Sequence, residues 1–169
     1  MTPLPGPLDP GASVVAWRLD AAANAPTWDS GIGAERMGGR WNPKGVRAVY
    51  CSFDPATTIL ESAVHRGFKV LDTQPFMLTS MRLVDPTTVK VVSPQDVPNP
   101  AWLHSGIPSA GQQDWGAMLL DAHPFVAFPS VVSKRSWNIV FRPDRAAGMY
   151  AALGQDRLVL DTRLNPSAA

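Results

Sequence analysis

The sequence predicts a single α+β domain built from many short strands and two or three helices. Its 169 residues are enough for one domain with a core of ordinary size. Hydrophobic residues make up 45% and charged residues 17%, a balance typical of a globular protein rather than a disordered one. The 17 prolines and 13 glycines favour short elements separated by many loops.

Charge and cysteine content exclude several classes of protein. The formal net charge is +1, so we expect no broad basic surface for nucleic acid or for an anionic membrane, and any anion must be bound locally. The single cysteine, Cys51, excludes an intrachain disulfide and a multi-cysteine metal site, and its apolar neighbours favour a buried thiol. No run approaches the roughly 20 apolar residues of a membrane span, and the first residues lack a signal-peptide pattern, so we expect a cytoplasmic protein.

The first part of the chain is predicted to contain an arm, two strands and a long loop. Residues 1–12 are rich in proline and glycine and are interpreted as an arm outside the domain. Residues 13–19 and 47–53 predict strands. Residues 31–45 are rich in glycine and are interpreted as a loop, which at this length is uncommon inside a compact domain unless it is functional.

The strand at residues 47–53 is predicted to present two different faces. Val49, Cys51 and Phe53 alternate with Tyr50, so the tyrosine is expected on the opposite side of the sheet from those three residues. Tyr50 is thereby separated from the apolar face of its own strand.

The clearest helix signal begins at Asp54 and Pro55, which suit the N-cap and the first helical position. Gly67 suits the end of this helix. Glu61 lies about 130° from the centre of the apolar stripe, at about 100° per residue, and is therefore predicted to lie off the core and to face solvent or a cleft. The stripe predicted to be buried consists of Ala56, Ile59, Leu60, Ala63 and Val64.

The rest of the chain is predicted to alternate short strands with irregular segments. Residues 112–120 suit a short helix, and Pro129 is expected to mark an edge or a bulge because proline cannot donate a ladder hydrogen bond. The domain is predicted to span residues 13–164, with a tail at 165–169. The further predicted strands are residues 75–84, 87–92, 125–132, 137–142 and 157–160, while 97–109 is predicted to be irregular and 149–153 stays ambiguous.

Arg40 is the first candidate for a binding residue. It follows Gly38 and Gly39, which let the backbone approach a ligand, and its guanidinium can bind a phosphate or carboxylate through two hydrogen bonds. The competing interpretation is an ordinary surface arginine. The spacing matches neither a Walker loop nor a dinucleotide-binding Gly-x-Gly-x-x-Gly pattern.

Four further residues carry chemistry that would suit a nucleotide. Tyr50 can stack on a nucleobase or nicotinamide ring, and Glu61 can stabilise a cationic sugar centre or act as a base. Ser130 can hydrogen-bond a ligand, and Arg18 can reach an anion. Each also has an ordinary reading as a strand or surface residue. The histidines show no zinc-site spacing, and the absence of Gly-x-Ser-x-Gly argues against a serine hydrolase.

Taken together, these residues resemble the RES domain, a family named after an arginine, a glutamate and a serine. In the element Gly38–Asn42 the arginine is followed by Tyr50 ten residues later and by Glu61 twenty-one residues later. On the family pattern the three namesake residues fall on Arg40, Glu61 and Ser130. The resemblance covers roughly residues 14 to 164 and continues through Trp17-Arg18, Asp114-Trp115, Phe128-Pro129-Ser130, Asn138 and Asp161-Thr162-Arg163-Leu164.

The resemblance implies a fold of split antiparallel sheets with a few helices, similar to the diphtheria-toxin-like ADP-ribosyltransferases. It also implies a toxin of a bacterial type II toxin–antitoxin system, with an Xre-type antitoxin protein as partner. Such a toxin would consume NAD⁺ and release nicotinamide to water or phosphate. NAD⁺ is then a substrate rather than a cofactor, and no metal is expected. A homodimer or a larger complex with the antitoxin stays open.

The resemblance also suggests a role for each candidate residue. Arg40 and Arg18 would hold the pyrophosphate or the adjacent ribose, and Tyr50 would stack on the nicotinamide. Glu61 would hydrogen-bond the nicotinamide ribose and stabilise its oxocarbenium-like centre, and Ser130 would orient either the nicotinamide side or Glu61. The remaining residues expected to bind substrate are Gly39, Trp41 and Asn42.

Two alternatives remain open at the level of the sequence. The same site can transfer ADP-ribose to a specific cellular protein instead of to water or phosphate. The chain can also be a non-catalytic nucleotide-binding interaction module, although the joint presence of Arg40, Tyr50 and Glu61 counts against it. Where many members of the family have Asn-Pro-x-His, this chain has Arg142-Pro143-Asp144-Arg145, which we interpret as a surface or partner difference.

Overall fold

A computed structural model describes residues 13–164, so the predicted arm at 1–12 and the tail at 165–169 lie outside the described residues. Within that range the chain forms a mixed sheet with helices packed on it. The strands are β1 (Val15–Ala21), β2 (Val49–Ser52), β3 (Phe76–Leu83), β4 (Val89–Val91), β5 (Phe125–Pro129), β6 (Trp137–Phe141) and β7 (Tyr150–Arg157). The helices are α1 (Ile32–Met37), α2 (Pro55–Arg66), α3 (Phe68–Thr73) and α4 (Ala110–Ala122), with short 3-10 helices at Ala22–Thr27, Pro86–Thr88, Pro94–Asp96, Pro100–Leu103 and Thr162–Leu164.

The sheet consists of two halves that meet at a narrow junction. Its strand order is β4-β5-β6-β2-β1-β3-β7, and within the described residues only the β4–β5 pair is parallel. Trp17 opposite Ser52 is the one residue pair recorded between β1 and β2 in residues 13–164. We call this junction the seam. The prediction of an α+β domain is confirmed, and the expected split takes the form of one sheet with a seam in its middle.

Side chains replace the backbone hydrogen bonds that the strands give up at the seam. Thr58 of α2 donates its hydroxyl to the carbonyl of Trp17 at 3.0 Å. Arg18 donates from a terminal guanidinium nitrogen to the carbonyl of Tyr50, also at 3.0 Å. A backbone carbonyl left unpaired away from water would cost free energy, so these two side chains allow β1 and β2 to diverge.

Apolar residues cover both faces of the half formed by β4, β5, β6 and β2. Val49 and Cys51 lie in the cluster on one face, and Phe53 packs against it. Tyr50 packs against the cluster on the other face. The predicted alternation of β2 is therefore confirmed. The second cluster contains Trp41, Ala48, Val92, Val97, Leu120, Val126, Phe128 and Val140.

The stretch predicted as a continuous glycine-rich loop contains a helix, so that part of the prediction is wrong. Helix α1 begins after Gly31, whose φ is 69°, and ends before Gly38, whose φ is 73°. Both glycines have left-handed φ values that other residues rarely adopt, so they bracket the helix rather than indicate a loop throughout. The segment that carries Arg40 is correspondingly shorter than predicted.

The ends of α2 are as predicted, but its buried face is not. Asp54 accepts a hydrogen bond from the backbone of Thr57, and Gly67 has a φ of 82°. Leu60 and Val64, predicted to be buried, are 36% and 61% exposed. The buried residues of the helix are Thr57, Thr58 and Ala63. The prediction failed because α2 lies over the seam, where hydroxyl groups satisfy the backbone.

The last strand also differs from the prediction. Residues 150–153 of the ambiguous segment belong to β7, which ends at Arg157, and residues 158–160 are not in a strand. β7 pairs with β3 at the edge of the sheet and is exposed over nearly its whole length, so it lacks the alternating pattern of a half-buried strand. The strand predicted at 125–132 ends at Pro129, and β5 lies between β4 and β6, so the expected edge position is wrong. Among the helices of residues 13–164, none is both long enough and apolar enough to span a membrane.

Candidate active site

Glu61 is held on α2 by two side chains that both bind the same carboxylate oxygen. The hydroxyl of Ser130 donates to Oε1 at 2.7 Å, and Nδ2 of Asn138 donates to Oε1 at 2.6 Å. Ser130 is in turn fixed, because its Oγ accepts hydrogen bonds from the backbone N–H groups of Val132 and Ser133 at 3.2 and 3.0 Å. Glu61 therefore reaches from α2 toward the sheet and is half-buried, outside the hydrophobic core clusters, which agrees with the prediction that it lies off the core, although it is not a freely solvated side chain.

The second carboxylate oxygen of Glu61 is free within the described part of the chain. No hydrogen bond to Oε2 is formed by residues 13–164, while Oε1 accepts two. Asn138 is itself anchored by Ser52, whose hydroxyl donates to Oδ1 at 2.7 Å. A half-buried carboxylate with one oxygen fixed and one open is oriented toward whatever binds beside it.

Tyr50 ties the strand β2 to the loop that carries Arg40. Its hydroxyl donates to Oδ1 of Asn42 at 2.6 Å and accepts from the backbone N–H of Trp41 at 3.0 Å. The hydroxyl lies so close to Gly39 that a Cβ there would be 2.5 Å from it and 2.6 Å from Oδ1 of Asn42. Burial raises the pKa of Tyr50, so the hydroxyl stays protonated and keeps donating at physiological pH. Only a residue without a side chain fits at position 39.

Trp41 and Asn42 support this loop from inside the protein. Trp41 is 2% exposed and its ring stacks on Phe128 with centroids 4.3 Å apart and an interplanar angle of 7°. Asn42 is 0% exposed. Their side chains are therefore buried in this structure and support the loop, and a contact of either residue with substrate stays a prediction. The amide of Asn42 donates to the carbonyls of Ala34, Pro43 and Val46.

Arg40 is held mainly by backbone carbonyls of the segment that precedes α4. Burial lowers the pKa of the Arg40 guanidinium, and the nearby Glu61 carboxylate and Tyr50 hydroxyl act in the opposite direction. The carbonyls that accept hydrogen bonds from Arg40 belong to Trp102 and His104, each at 3.2 Å, and to Gly106 at 3.4 Å.

Arg18 is engaged within the protein rather than displayed to a ligand. One terminal nitrogen binds the Tyr50 carbonyl across the seam, and the other binds a carboxylate oxygen of Asp20 at 2.9 Å. Its Nε is buried and has no partner in the described part of the chain. The structure gives Arg18 a role in joining the two halves of the sheet, and a contact with substrate stays a prediction.

Several residues that build the site were given no role by the sequence. Asn138 was noted within the resemblance only, and Ser52 was not singled out. Gln112 and Gln113 lie in the first turn of α4. Gln112 donates to the carbonyl of Trp102, which also accepts from Arg40, at 3.3 Å, and Gln113 donates to the carbonyl of Gly39 at 2.8 Å. Single polar residues of this kind carry no local pattern, and only their distant partners reveal what they do.

The arrangement can recognise a hydroxyl group and stabilise positive charge next to it. The open oxygen of Glu61 is a hydrogen-bond acceptor, and its negative charge would favour a cation that develops within a few ångströms. The guanidinium of Arg40 would favour an anionic group on the same ligand. Among residues 13–164, no three acidic, histidine or cysteine side chains are grouped so as to hold a metal ion.

A family model and a curated relative identify the family of this chain, and a solved structure shows its fold. The model of the RES domain family matches residues 15–161. A curated relative, Toxin Res of Yersinia enterocolitica, is 31% identical over 121 residues, which cover 70% of this chain and 76% of that protein. The toxin–antitoxin complex MbcT–MbcA of M. tuberculosis contains a chain of the same fold, with a TM-score of 0.71, 20% identity and coverage of 88% of this chain and 85% of that one. This chain therefore belongs to the RES domain family.

Proposed function

We propose that this protein is the toxin of a toxin–antitoxin pair and that it cleaves the bond between nicotinamide and ribose in NAD⁺. Its RES family membership and its curated relative, named as a toxin, support the first part. The similarity in fold to a chain of the MbcT–MbcA toxin–antitoxin complex supports the expectation of an antitoxin partner. An antitoxin of the Xre type, and action on the cytoplasmic NAD⁺ pool, belong to the same proposal.

The state of Glu61 is the observation that carries the proposed reaction. Its Oε1 is held by Ser130 and Asn138, and its Oε2 is open within the described residues. Cleavage of the glycosidic bond builds positive charge on C1 of the nicotinamide ribose. A fixed carboxylate stabilises that charge more in the transition state than in the ground state, and this difference is what accelerates a reaction. A hydroxyl of the ribose would donate to Oε2.

Arg40 supplies the positive charge for the pyrophosphate side of NAD⁺. Its present partners are neutral carbonyls, which accept its hydrogen bonds but do not neutralise its charge, whereas a phosphate would do both and could bind two N–H groups in parallel. A phosphate that reached the guanidinium would thus be a better partner than the carbonyls. The ring of Tyr50, whose hydroxyl fixes the Arg40 loop, would pack against the nicotinamide.

The proposed reaction balances without a cofactor or a redox partner. The bond between C1 and the nicotinamide nitrogen breaks, and its electron pair stays on that nitrogen, so nicotinamide leaves as a neutral molecule. Water or inorganic phosphate forms the new bond to C1. With water, the excess proton goes to solvent and ADP-ribose is released. With phosphate, the product is ADP-ribose 1″-phosphate.

The proposal is tested by incubating the purified chain, freed of any antitoxin, with NAD⁺ in the presence and absence of phosphate. Liquid chromatography with mass spectrometry would follow NAD⁺, nicotinamide and the ADP-ribose products. We expect nicotinamide and a matching amount of ADP-ribose or its phosphate. NAD⁺ that remains intact at micromolar enzyme over hours would refute cleavage. Radiolabel from adenine-labelled NAD⁺ that ends on a protein would favour the ADP-ribosyltransferase alternative. Binding of NAD⁺ without turnover would favour the non-catalytic module.

A further inference from the structure

Behind Glu61 lies a chain of polar side chains that crosses from one strand to the next. Ser52 on β2 and Asn138 on β6 stand directly opposite each other in the antiparallel ladder. The Ser52 hydroxyl donates to Oδ1 of Asn138 at 2.7 Å, and Nδ2 of Asn138 donates to Oε1 of Glu61 at 2.6 Å. The ladder therefore fixes the spacing of the first two groups, and the second one reaches the carboxylate.

The orientation of the Asn138 amide follows from its two neighbours. Were the amide reversed, its oxygen would lie 2.6 Å from a carboxylate oxygen of Glu61, and two acceptors would face each other. Ser52 reinforces the observed orientation because its hydroxyl proton can point to Oδ1. Ser52 is 3% exposed, so a ligand of the size of a nucleotide does not reach it. Its effect on the site can act only through Asn138.

We propose that Ser52 and Asn138 are positioning residues, which hold Glu61 by Oε1 and thereby leave Oε2 turned to the substrate. This inference rests on the proposed function for its kinetic consequence but not for its structural content. Glu61 has two supports from different sides: Ser130 from the loop after β5 and Asn138 from β6. Loss of one support lets the carboxylate rotate about its side-chain bonds, and a displacement of about 1 Å in a reacting group is enough to slow a reaction many-fold.

We call the hydrogen-bonded chain Ser52–Asn138–Glu61 the relay. The side-chain amide of Asn138 can report on it by NMR. A proton donated to a carboxylate over so short a distance is expected to resonate downfield in a ¹H–¹⁵N correlation spectrum, and the signal is assigned by its loss in Asn138→Asp. We expect the downfield shift of this amide proton to become smaller in Ser52→Ala and in Glu61→Gln. It should persist in Ser80→Ala, which removes the hydroxyl of another buried strand serine, on β3. A downfield shift unchanged in Ser52→Ala, or absent from the wild type, would overturn the relay.

Enzyme kinetics provide a second test of the relay. In Ser52→Ala we expect kcat for NAD⁺ cleavage to fall about tenfold, with KM changed less than kcat, because the carboxylate loses its alignment rather than its charge. Ser52→Thr, which keeps the hydroxyl, should recover most of the loss, and Ser80→Ala should resemble the wild type. Equal loss in Ser52→Ala and Ser80→Ala, or a Ser52→Ala variant as active as the wild type, would contradict the proposal.

The two proposals fail in different ways. A wild type that does not cleave NAD⁺ refutes the proposed function, while the amide signal still decides whether Ser52 controls the contact between Asn138 and Glu61. Conversely, cleavage by the wild type with an amide signal insensitive to Ser52→Ala retains the function and removes the relay. Thermal melting of every variant shows whether it is folded. If Ser52→Ala does not fold, Ser52→Cys takes its place in both measurements, because it fills a similar volume and its thiol is only a weak donor.

Discussion

The two charged groups of the site are held in different ways. Glu61 is fixed by the side chain of Ser130, in the loop that follows β5, and by that of Asn138, on β6 in the half of the sheet that apolar residues cover on both faces. Arg40 is held by carbonyls of an exposed segment, in which Ile107 next to the last of them is 98% exposed. The carboxylate is therefore prearranged, whereas the guanidinium has partners that a ligand can exchange. An anionic group of a ligand could replace these neutral carbonyls without disturbing the core.

Loss of the Glu61 charge should have the largest effect on activity. Glu61→Gln keeps an oxygen that can accept from Ser130 and Asn138 but removes the charge that would stabilise the developing cation. We expect NAD⁺ cleavage to fall at least about 100-fold, with little change in melting temperature. The matched control is Glu35→Gln, because Glu35 forms a surface ion pair with Arg47 away from the proposed reaction. Full activity in Glu61→Gln would remove the carboxylate from the mechanism.

A methyl group at position 39 should break the support of the arginine side. In Gly39→Ala the new Cβ would have to occupy space within 2.6 Å of both the Tyr50 hydroxyl and Asn42 Oδ1. We expect the free energy of unfolding to fall by about 1–3 kcal/mol, as for other overpacked sites, with a loss of activity. Denaturant unfolding would measure it. Gly33→Ala, in α1 where nothing lies within 4 Å of the added Cβ, should instead be stabilising by about 0.5–1 kcal/mol. Equal effects at both positions would argue against the close approach.

Removal of the Tyr50 hydroxyl separates loop support from ring contact. Tyr50→Phe keeps the ring and leaves the backbone N–H of Trp41 and Oδ1 of the buried Asn42 without the partner they have now. We expect a loss of about 1–3 kcal/mol in the free energy of unfolding and a higher KM for NAD⁺. Tyr150→Phe is the control: it removes a hydroxyl bound to Asp29 at 2.7 Å and should lower stability without a change in KM. A Tyr50→Phe variant with wild-type stability would mean that the loop is held by other contacts.

Replacement of the guanidinium by an ammonium probes the exchangeable partners of Arg40. Arg40→Lys keeps the charge, but a single amine cannot span three carbonyls, nor bind a phosphate through two parallel hydrogen bonds. We expect KM for NAD⁺ to rise about tenfold, with kcat and stability less affected. The control is Arg47→Lys, at an arginine whose side chain is 52% exposed. If kcat fell as much as in Glu61→Gln, the two sides of the site would not be separable.

The smallest effect concerns Cys51, which lies on the opposite face of β2 from Tyr50. Burial raises the pKa of the Cys51 thiol to about 12 from an ordinary value of 9.0. Because the pKa is higher in the folded state than in the unfolded state, the protonated thiol contributes its full stability below about pH 9. That contribution is lost as the pH rises toward 12. Between pH 9 and 10 the unfolded thiol ionises first, so the free energy of unfolding should fall by about 1 kcal/mol more in the wild type than in Cys51→Val. If the free energy of unfolding depended on pH in the same way in both proteins, burial would not raise the pKa of the Cys51 thiol.

Local signals were enough to predict the architecture and to place Glu61 on a helix after a strand and off the core, but not to identify the side chains that hold it. Asp54, Pro55 and Gly67 act through neighbours within a few residues, so their roles could be inferred from the sequence. The buried face of α2 could not, because the apolar-stripe rule assumes that a helix packs on an apolar surface, and this one covers the polar seam.

Contacts distant in sequence explain the other differences. Ser52 and Asn138 are 86 residues apart, and Glu61 and Ser130 are 69 apart, so no local pattern relates them. Conversely, Trp41 and Asn42 stand next to Arg40 in a recognisable motif. Whether their side chains face the ligand or the interior is decided by Phe128 and by the carbonyls of the α1 region, which the motif does not contain.

The seam has a consequence for how the protein comes apart. The half formed by β1, β3 and β7 has an exposed edge strand, and its recorded ladder contact with the buried half is the pair Trp17–Ser52. In native-state hydrogen exchange we therefore expect this half to open at a lower free energy than the other. Helix α2 is hydrogen-bonded to both halves: Thr58 donates to Trp17 on β1, and Glu61 accepts from Asn138 on β6. Partial opening would thus shift the Glu61 carboxylate while most of the core stays folded, so the alignment of the site depends on the less stable half of the sheet as well as on the half that holds Ser130 and Asn138.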